Sequence, residues 1–166
     1  RGQRKLSSEA MTISNYKLKQ HLPYDLTRPV AEMAAFFNIF QQVDSANLLT
    51  VAAEADCCMA VLQTADGSRT VSGQFRVVQD VRGEWARCAK LAVLEVLERA
   101  AGRSQVLPWG ILTGVRPGKL AHKLLDSGLS SDVLPHYLER QYLLPPGQAR
   151  LLTDICQLQS QLLPDV

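Results

Sequence analysis

The sequence lacks any apolar run long enough to cross a membrane. Its longest candidate, residues 47–65, is interrupted by Glu54 and Asp56, whereas a membrane-spanning helix needs about 20 consecutive apolar residues. The basic residues within positions 1–5 are followed by no apolar segment of the kind that a secretory signal contains. These absences predict a cytoplasmic protein without a membrane partner.

The sequence also lacks an excess of charge of either sign. Its 18 Lys and Arg residues oppose 16 Asp and Glu residues, which leaves a formal net charge of +2. Proteins that bind nucleic acids broadly usually carry a strongly basic face, so a nucleic-acid partner is not expected. The 166 residues are 46% hydrophobic and 20% charged, which is typical of a globular protein and excludes a disordered tail or a collagen-like repeat.

The four cysteines, Cys57, Cys58, Cys88 and Cys156, do not form a metal-binding pattern. Zinc sites and iron–sulfur sites use closely spaced pairs or runs of cysteine, and no such run with the required spacing occurs. Adjacent strand residues point to opposite faces, so Cys57 and Cys58 are poor ligands for one metal. We expect buried, free thiols in a reducing cytosol, and no cofactor site in this chain.

Residues 11–103 are predicted to form a small mixed sheet with two packed helices. Apolar residues recur at helical spacing in the first helix, where Thr27 is the expected N-cap and Pro29 lies in the first turn. A hairpin turn is expected at residues 65–68, and Gly102 is expected to end the second helix. The predicted elements are strand 13–19, helix 26–41, strands 48–55, 57–64 and 69–79, and helix 83–101.

Residues 104–166 differ in character, because a loop rich in glycine and proline precedes helical segments. The loop covers residues 104–118, and Ser131 is an expected helix cap. Residues 1–10 are expected to be a disordered extension, since Met11 offers a natural start. The predicted fold class is α+β, with the sheet domain followed by a helical linker subdomain of about three helices. These helices are predicted at residues 117–127, 131–141 and 146–163.

The loop contains the candidate binding residues of the chain. Gly110 and Gly114 permit a positive φ or a close backbone approach, and Pro117 suits the first position of a helix. Arg116 and Lys119 flank that helix start, where free N–H groups favour an anion. Two interpretations stay open: an anion site using Gly114, Arg116 and Lys119, or a rigid interdomain joint with Arg116 bound to a carbonyl or an acid. The spacing is not that of a Walker A loop.

The loop also carries a family resemblance. Residues 107–120 read LPWGILTGVRPGKL and resemble the WGILTG(I/V)RPxK segment of oxygen-independent coproporphyrinogen dehydrogenases of the HemZ type, which are radical S-adenosylmethionine enzymes of haem biosynthesis. The likeness continues through residues 122–125, 137–138 and 142–144 and into a closing segment, 149–163, that is rich in Leu and Gln. Over residues 11–100 it is restricted to the order of strands and helices.

The resemblance implies a longer protein whose catalytic part lies in a C-terminal barrel. There a CxxxCxxC motif binds a [4Fe–4S] cluster and S-adenosylmethionine, and the resulting radical starts the oxidative decarboxylation of coproporphyrinogen III to protoporphyrinogen IX. The four cysteines of this chain do not supply that motif, and we expect the cluster strand to begin shortly after Val166. The resemblance therefore implies an accessory N-terminal region that is not catalytic by itself. Its implied partners are its own radical S-adenosylmethionine barrel and, through the whole protein, the porphyrinogen.

Two other classes of function are considered beside this one. A stand-alone binding module for RNA or an anionic metabolite would use the basic loop around Arg116 and Lys119. An independent enzyme is the weakest hypothesis, because no acid–base pair, nucleophile or metal set is assembled in the sequence. The whole parent protein is expected to be an oxidoreductase, whereas the chain alone is not expected to be an enzyme.

Overall fold

The computed structural model describes residues 13–67 and 70–162, and it confirms the α+β fold class. The chain divides into two compact units, with the boundary between residues 105 and 106. The described part of the first unit contains five strands and two helices, and that of the second contains three helices. The elements are β1 (Asn15–His21), α1 (Thr27–Ala35), β2 (Phe40–Gln41), β3 (Leu48–Glu54), β4 (Cys57–Gln63), β5 (Thr70–Arg76), α2 (Arg82–Ala101), α3 (Pro117–Asp126), α4 (Leu134–Tyr142) and α5 (Pro146–Leu162).

The strands of the first unit form one mixed sheet in the order β2-β1-β3-β4-β5. β1 pairs in parallel with β2 and β3, whereas β3, β4 and β5 pair in antiparallel fashion. Alternate residues of β3 and β4 are buried, because successive side chains of a strand point to opposite faces. The buried set on these two strands is Leu49, Val51, Cys58, Ala60 and Leu62.

Helices α1 and α2 form the second layer of the first unit. α2 packs on β4 and β5, and α1 packs on α2. The approach of α2 to β5 depends on Gly73, because a Cβ at this position would lie 2.9 Å from the carbonyl oxygen of Ala92. α2 ends as predicted, with Gly102 in the left-handed conformation at its C-cap.

An ion pair between the buried Lys90 and the half-buried Glu32 joins the two helices of the first unit. Lys90 of α2 is 5% exposed, and its Nζ lies 3.3 Å from Oε2 of Glu32 on α1. Burial lowers the pKa of Lys90, and the Glu32 carboxylate opposes that shift. A charged side chain in such a place needs a partner, since an unpaired buried charge is strongly destabilising.

The first helix differs from its prediction at both ends. Thr27 is the first helical residue and not the N-cap; its amide and its hydroxyl donate hydrogen bonds of 3.0 Å and 2.7 Å to Oδ1 of Asp25. These bonds, with a third from Gln20, lower the pKa of the exposed Asp25 carboxyl to about 2. α1 ends at Ala35 and not at residue 41, because Asn38 has a positive φ and residues 40–41 pair with β1.

The predicted hairpin turn and the last predicted strand of the first unit have different outcomes. The turn at residues 65–68 is confirmed for its described part, where Gly67 has a φ of +66°. The last predicted strand ends at Arg76 and not at residue 79; Val77 N instead donates to Asp56 O. Ser68, Arg69 and the predicted extension 1–10 lie outside the described residues.

The second unit is built around one apolar cluster between its three helices. Its buried members are Leu112, Ala121, Leu134, Leu138, Leu144, Ala149, Leu152 and Cys156. The expected cap at Ser131 is wrong: residues 131–133 form a turn, Leu134 begins α4, and its amide donates to the carbonyl of Ser130. Pro135 is tolerated because it lies in the first helical turn, where amides have no partner within the helix.

None of the helices in the described ranges 13–67 and 70–162 is long and apolar enough to span a bilayer.

Candidate functional site

Residues 107–116 form an ordered loop that leads into α3 of the second unit. The loop makes its own turn, in which Gly110 N donates to Leu107 O at 3.1 Å and Leu112 N donates to Trp109 O at 3.1 Å. A third bond connects the loop to the last residue of α4, since Ile111 N lies 2.8 Å from the carbonyl oxygen of Tyr142. The loop conformation is therefore determined partly by the end of α4.

Gly110 is the residue that this contact requires. Its φ is +55°, a region that residues with a Cβ rarely adopt. A Cβ at Gly110 would lie 2.0 Å from the carbonyl oxygen of Tyr142 and 2.7 Å from that of Leu143. Both neighbours are backbone atoms, so rotation of a side chain cannot relieve the clash. The sequence-based expectation of a positive φ or a close approach is confirmed in both respects.

The end of α4 has a matching irregularity. Leu143 has a φ of +56° and is the left-handed C-cap of the helix, which is unusual for a residue with a branched side chain. This reversal lets Leu144 N donate to Leu138 O and buries the Leu144 side chain in the apolar cluster. Leu112 enters the same cluster from the loop, so both segments are anchored by burial as well as by hydrogen bonds.

The last part of the loop is open to solvent. Gly114 has a φ of +64°, and Pro117 begins α3 as predicted. The side chains of Arg116 and Lys119 are exposed, and neither has a hydrogen bond or ion pair with any described residue. Gly114, Arg116 and Lys119 are thus placed in one solvent-exposed segment at the start of a helix. Their role in binding an anion or another domain stays a prediction.

Two contacts of this unit were not foreseen from the sequence. The approach of Gly110 to Tyr142 and Leu143 uses backbone atoms, and any residue could supply the carbonyl, so residue identity gives no signal for it. His122 on α3 forms a hydrogen bond of 2.9 Å between its Nε2 and Oε1 of Gln159 on α5. The sequence does not predict this bond, because the two residues come together only when α3 packs against α5.

The thiols do not assemble into a ligand set. Cys58, Cys88 and Cys156 are buried, and Cys57 is half-buried on the opposite face of β4. Burial raises the pKa of Cys58 to about 12 and that of Cys88 to about 11, which keeps both protonated at neutral pH. Within the described residues, no group of three His, Cys, Asp or Glu side chains could hold a metal ion. The donors of this chain therefore do not fit a [4Fe–4S] cluster, which requires thiolate ligands.

Comparisons with known proteins identify one similarity. The chain is 38% identical over 73 residues to the oxygen-independent coproporphyrinogen-III oxidase-like protein HemZ of Bacillus subtilis (strain 168). These residues are 44% of this chain and 14% of that protein. No family model and no solved structure matches the chain. The similarity to HemZ is thus a partial one, over fewer than half of the residues of the chain.

Proposed function

We propose that this chain is the N-terminal accessory region of a HemZ-type radical S-adenosylmethionine protein that acts in haem biosynthesis. The observation that carries the proposal is the 38% identity to HemZ over 73 residues. The LPWGILTGVRPGKL segment supports it, because this segment resembles the WGILTG(I/V)RPxK segment of HemZ-type proteins. In the whole protein, the reaction would be the oxidative decarboxylation of coproporphyrinogen III, carried out in the cytoplasm.

The proposal assigns the radical chemistry to residues outside this chain. The four cysteines lack the CxxxCxxC spacing that such a cluster uses, and Cys57 and Cys58 lie on opposite faces of β4. The chain itself would pack on the catalytic barrel and shape access of the substrate or assist assembly. It is therefore proposed to be non-catalytic by itself, although it belongs to an oxidoreductase.

The proposal is tested with the full product of the natural gene, which the proposal requires to be longer than this chain. We expect anaerobic reconstitution with iron and sulfide to give the charge-transfer absorbance of thiolate-ligated iron and to permit reductive cleavage of S-adenosylmethionine. The 166-residue chain, treated in the same way, is the matched control and should show neither property. A longer protein without cluster absorbance and without cleavage of S-adenosylmethionine would contradict the proposal, as would a gene that encodes no cluster ligands.

A second candidate function concerns the exposed start of α3. Arg116 and Lys119 are solvent-exposed cations without a described partner, next to helix amides that favour an anion. Their ligand would be a carboxylate, such as a propionate group of the porphyrinogen. A stand-alone module for RNA or another anionic metabolite would use the same residues.

Titration of the chain with coproporphyrin at fixed ionic strength separates these possibilities. Arg116→Ala and Lys119→Ala should each weaken binding about two- to fivefold, the range of an exposed ion pair. Lys123→Ala is the matched control, because Lys123 is an exposed cation in the last turn of the same helix. Equal affinity of Arg116→Ala and the unchanged chain would remove the carboxylate contact. Tighter binding of RNA than of coproporphyrin would favour the stand-alone module.

A further inference from the structure

Helix α5 has two apolar faces, and the structure of the second unit uses one of them. Ala149, Leu152, Thr153 and Cys156 are buried on the packed face. A second set of apolar side chains, here termed the outer stripe, is between 42% and 69% exposed and consists of Leu151, Ile155, Leu158 and Leu162.

The outer stripe is continuous along the helix. Its members are spaced by four, three and four residues, so at 3.6 residues per turn they lie in one row, on the side of α5 opposite to the packed face. A surface helix with one buried face normally carries polar residues on its other side. Single exposed apolar residues are ordinary, whereas a contiguous apolar patch marks a surface that is covered by a partner.

The chemistry of α5 does not suit a lipid surface as the partner. Helices that lie on membranes combine their apolar face with a polar face rich in Lys and Arg, often with aromatic residues at the boundary. α5 contains a single basic residue, Arg150, and no aromatic residue. The exposed polar positions beside the outer stripe are held mainly by amide side chains, including Gln157 and Gln161.

The outer stripe is also poorly suited to bind a second copy of the chain. The outer stripe covers fewer than two heptads, whereas a coiled coil is indicated by three to four heptads. The positions that flank it in a heptad, Asp154, Gln159 and Gln161, provide no pair of opposite charges. Four partly exposed side chains present on the order of a few hundred Å², which is well below the roughly 800 Å² that each partner of a stable complex buries.

We propose that the outer stripe of α5 is the docking surface for the domain that follows this chain in the longer protein. This inference rests on the proposed function, which makes the chain part of such a protein. The HemZ relative is several times longer than the matched segment, because the 73 matched residues are 14% of its length, and the proposed function places the remaining part after this chain. A domain on the same polypeptide is held at high effective concentration, so a small apolar patch suffices where two free molecules would dissociate.

Site-specific thiol labelling tests the docking surface in the 166-residue chain and in the longer protein. Leu158→Cys places a thiol in the outer stripe, and Gln157→Cys, on the adjacent polar face, is the matched control. Maleimide incorporation is measured at each position by peptide mass spectrometry. We expect Leu158→Cys to react at least about tenfold more slowly in the longer protein, because a covered thiol reacts only when the interface opens. The Gln157→Cys control should react equally in both proteins.

The other outcomes overturn the inference in different ways. Equal labelling of Leu158→Cys in the two proteins would show that the stripe stays open. Slow labelling of both positions in the longer protein would show burial of the whole helix and not docking along the stripe. Slow labelling of Leu158→Cys in the 166-residue chain, together with dimerisation in sedimentation, would assign the stripe to a second copy. Labelling needs no cluster, so a protected stripe in a longer protein that binds no cluster would support docking and contradict the proposed enzyme.

Discussion

The two units of the chain obtain a defined structure by different means. The sheet unit relies on repetitive strand pairing, in which buried residues alternate with half-buried ones along β4. The helical unit relies on an apolar cluster and on one close backbone contact, at which Gly110 and Leu143 both have a positive φ. A Cβ would lie 2.0 Å from a backbone oxygen at Gly110 but 2.9 Å from one at Gly73 of the sheet unit. Substitutions of equal size should therefore have unequal effects in the two units.

The strongest test of this contrast is Gly110→Ala. The added Cβ would lie 2.0 Å from a backbone oxygen at a residue with a positive φ, so we expect a loss of more than about 4 kcal/mol in the stability of the second unit. Urea denaturation combined with peptide-level hydrogen exchange measures each unit separately. Gly118→Ala is the control, because a Cβ there meets nothing within 4 Å; since Gly118 lies in the first turn of α3, the change should leave stability unchanged or raise it by up to about 1 kcal/mol. If the second unit of Gly110→Ala were folded and of normal stability, the predicted importance of the Gly110 contact would be wrong.

Two adjacent leucines on α5 differ in burial and should differ in their contribution to the stability of the second unit. Leu152 is buried in the apolar cluster, whereas Leu151 belongs to the exposed outer stripe. Leu152→Ala should lower the free energy of unfolding by about 2–5 kcal/mol, while Leu151→Ala should change it by less than about 0.5 kcal/mol. Urea denaturation followed by circular dichroism measures both. Equal losses in the two variants would mean that the stripe is packed in the 166-residue chain.

Gly73→Ala is the counterpart of Gly110→Ala in the sheet unit. The new Cβ would lie 2.9 Å from Ala92 O, but the backbone of Gly73 needs no positive φ. A shift of α2 can relieve much of the contact, so we expect a loss of about 1–3 kcal/mol. Gly83→Ala meets no atom within 4 Å and serves as the control in the same denaturation experiment. A larger loss of stability for Gly73→Ala than for Gly110→Ala would show that the sheet unit is the more sensitive of the two to an added Cβ.

The smallest expected effect is a pH dependence confined to the sheet unit. The pKa of Asp25 is lowered to about 2 by hydrogen bonds from Thr27 and Gln20, so its ionised form is favoured in the folded state. The associated stability is present above the ordinary pKa of aspartate and is lost as the pH falls from about 4 to about 2. Asp25→Asn should flatten this decline in hydrogen exchange of α1 peptides. An unchanged pH profile in that variant would show that other carboxylates determine it.

The regular parts of the fold could be predicted from the sequence, and the irregular parts could not. Periodicity located α2 and the antiparallel strands β3 to β5, because side-chain alternation and helical spacing act locally. It placed the end of α1 six residues too late, since Phe40 continues the helical pattern but is 58% exposed and pairs with β1 through its backbone. Ser131 was a reasonable cap by composition, but the helix begins after the following turn.

In the candidate loop, the backbone conformation could be predicted from the sequence, whereas the contacts of the loop could not. Glycine at positions 110 and 114 predicted unusual backbone conformations, because glycine adopts a positive φ at little cost. The partner of Gly110 was not predictable, since its contact is a carbonyl distant in sequence. The outer stripe of α5 was present in the sequence as part of an apolar pattern. Its exposure depends on which face packs against α3 and α4, and this is a tertiary property.

The bond between Ile111 and Tyr142 has a consequence for synthesis on the ribosome. The acceptor of this bond is the last residue of α4, so the loop is translated well before the helix end that it must contact. At about 5–20 residues per second, the interval between the two residues is roughly 2–6 s. During that time Ile111 and Leu112 emerge without the surfaces that later bury them. The loop can therefore reach its final conformation only after the end of α4 has been made.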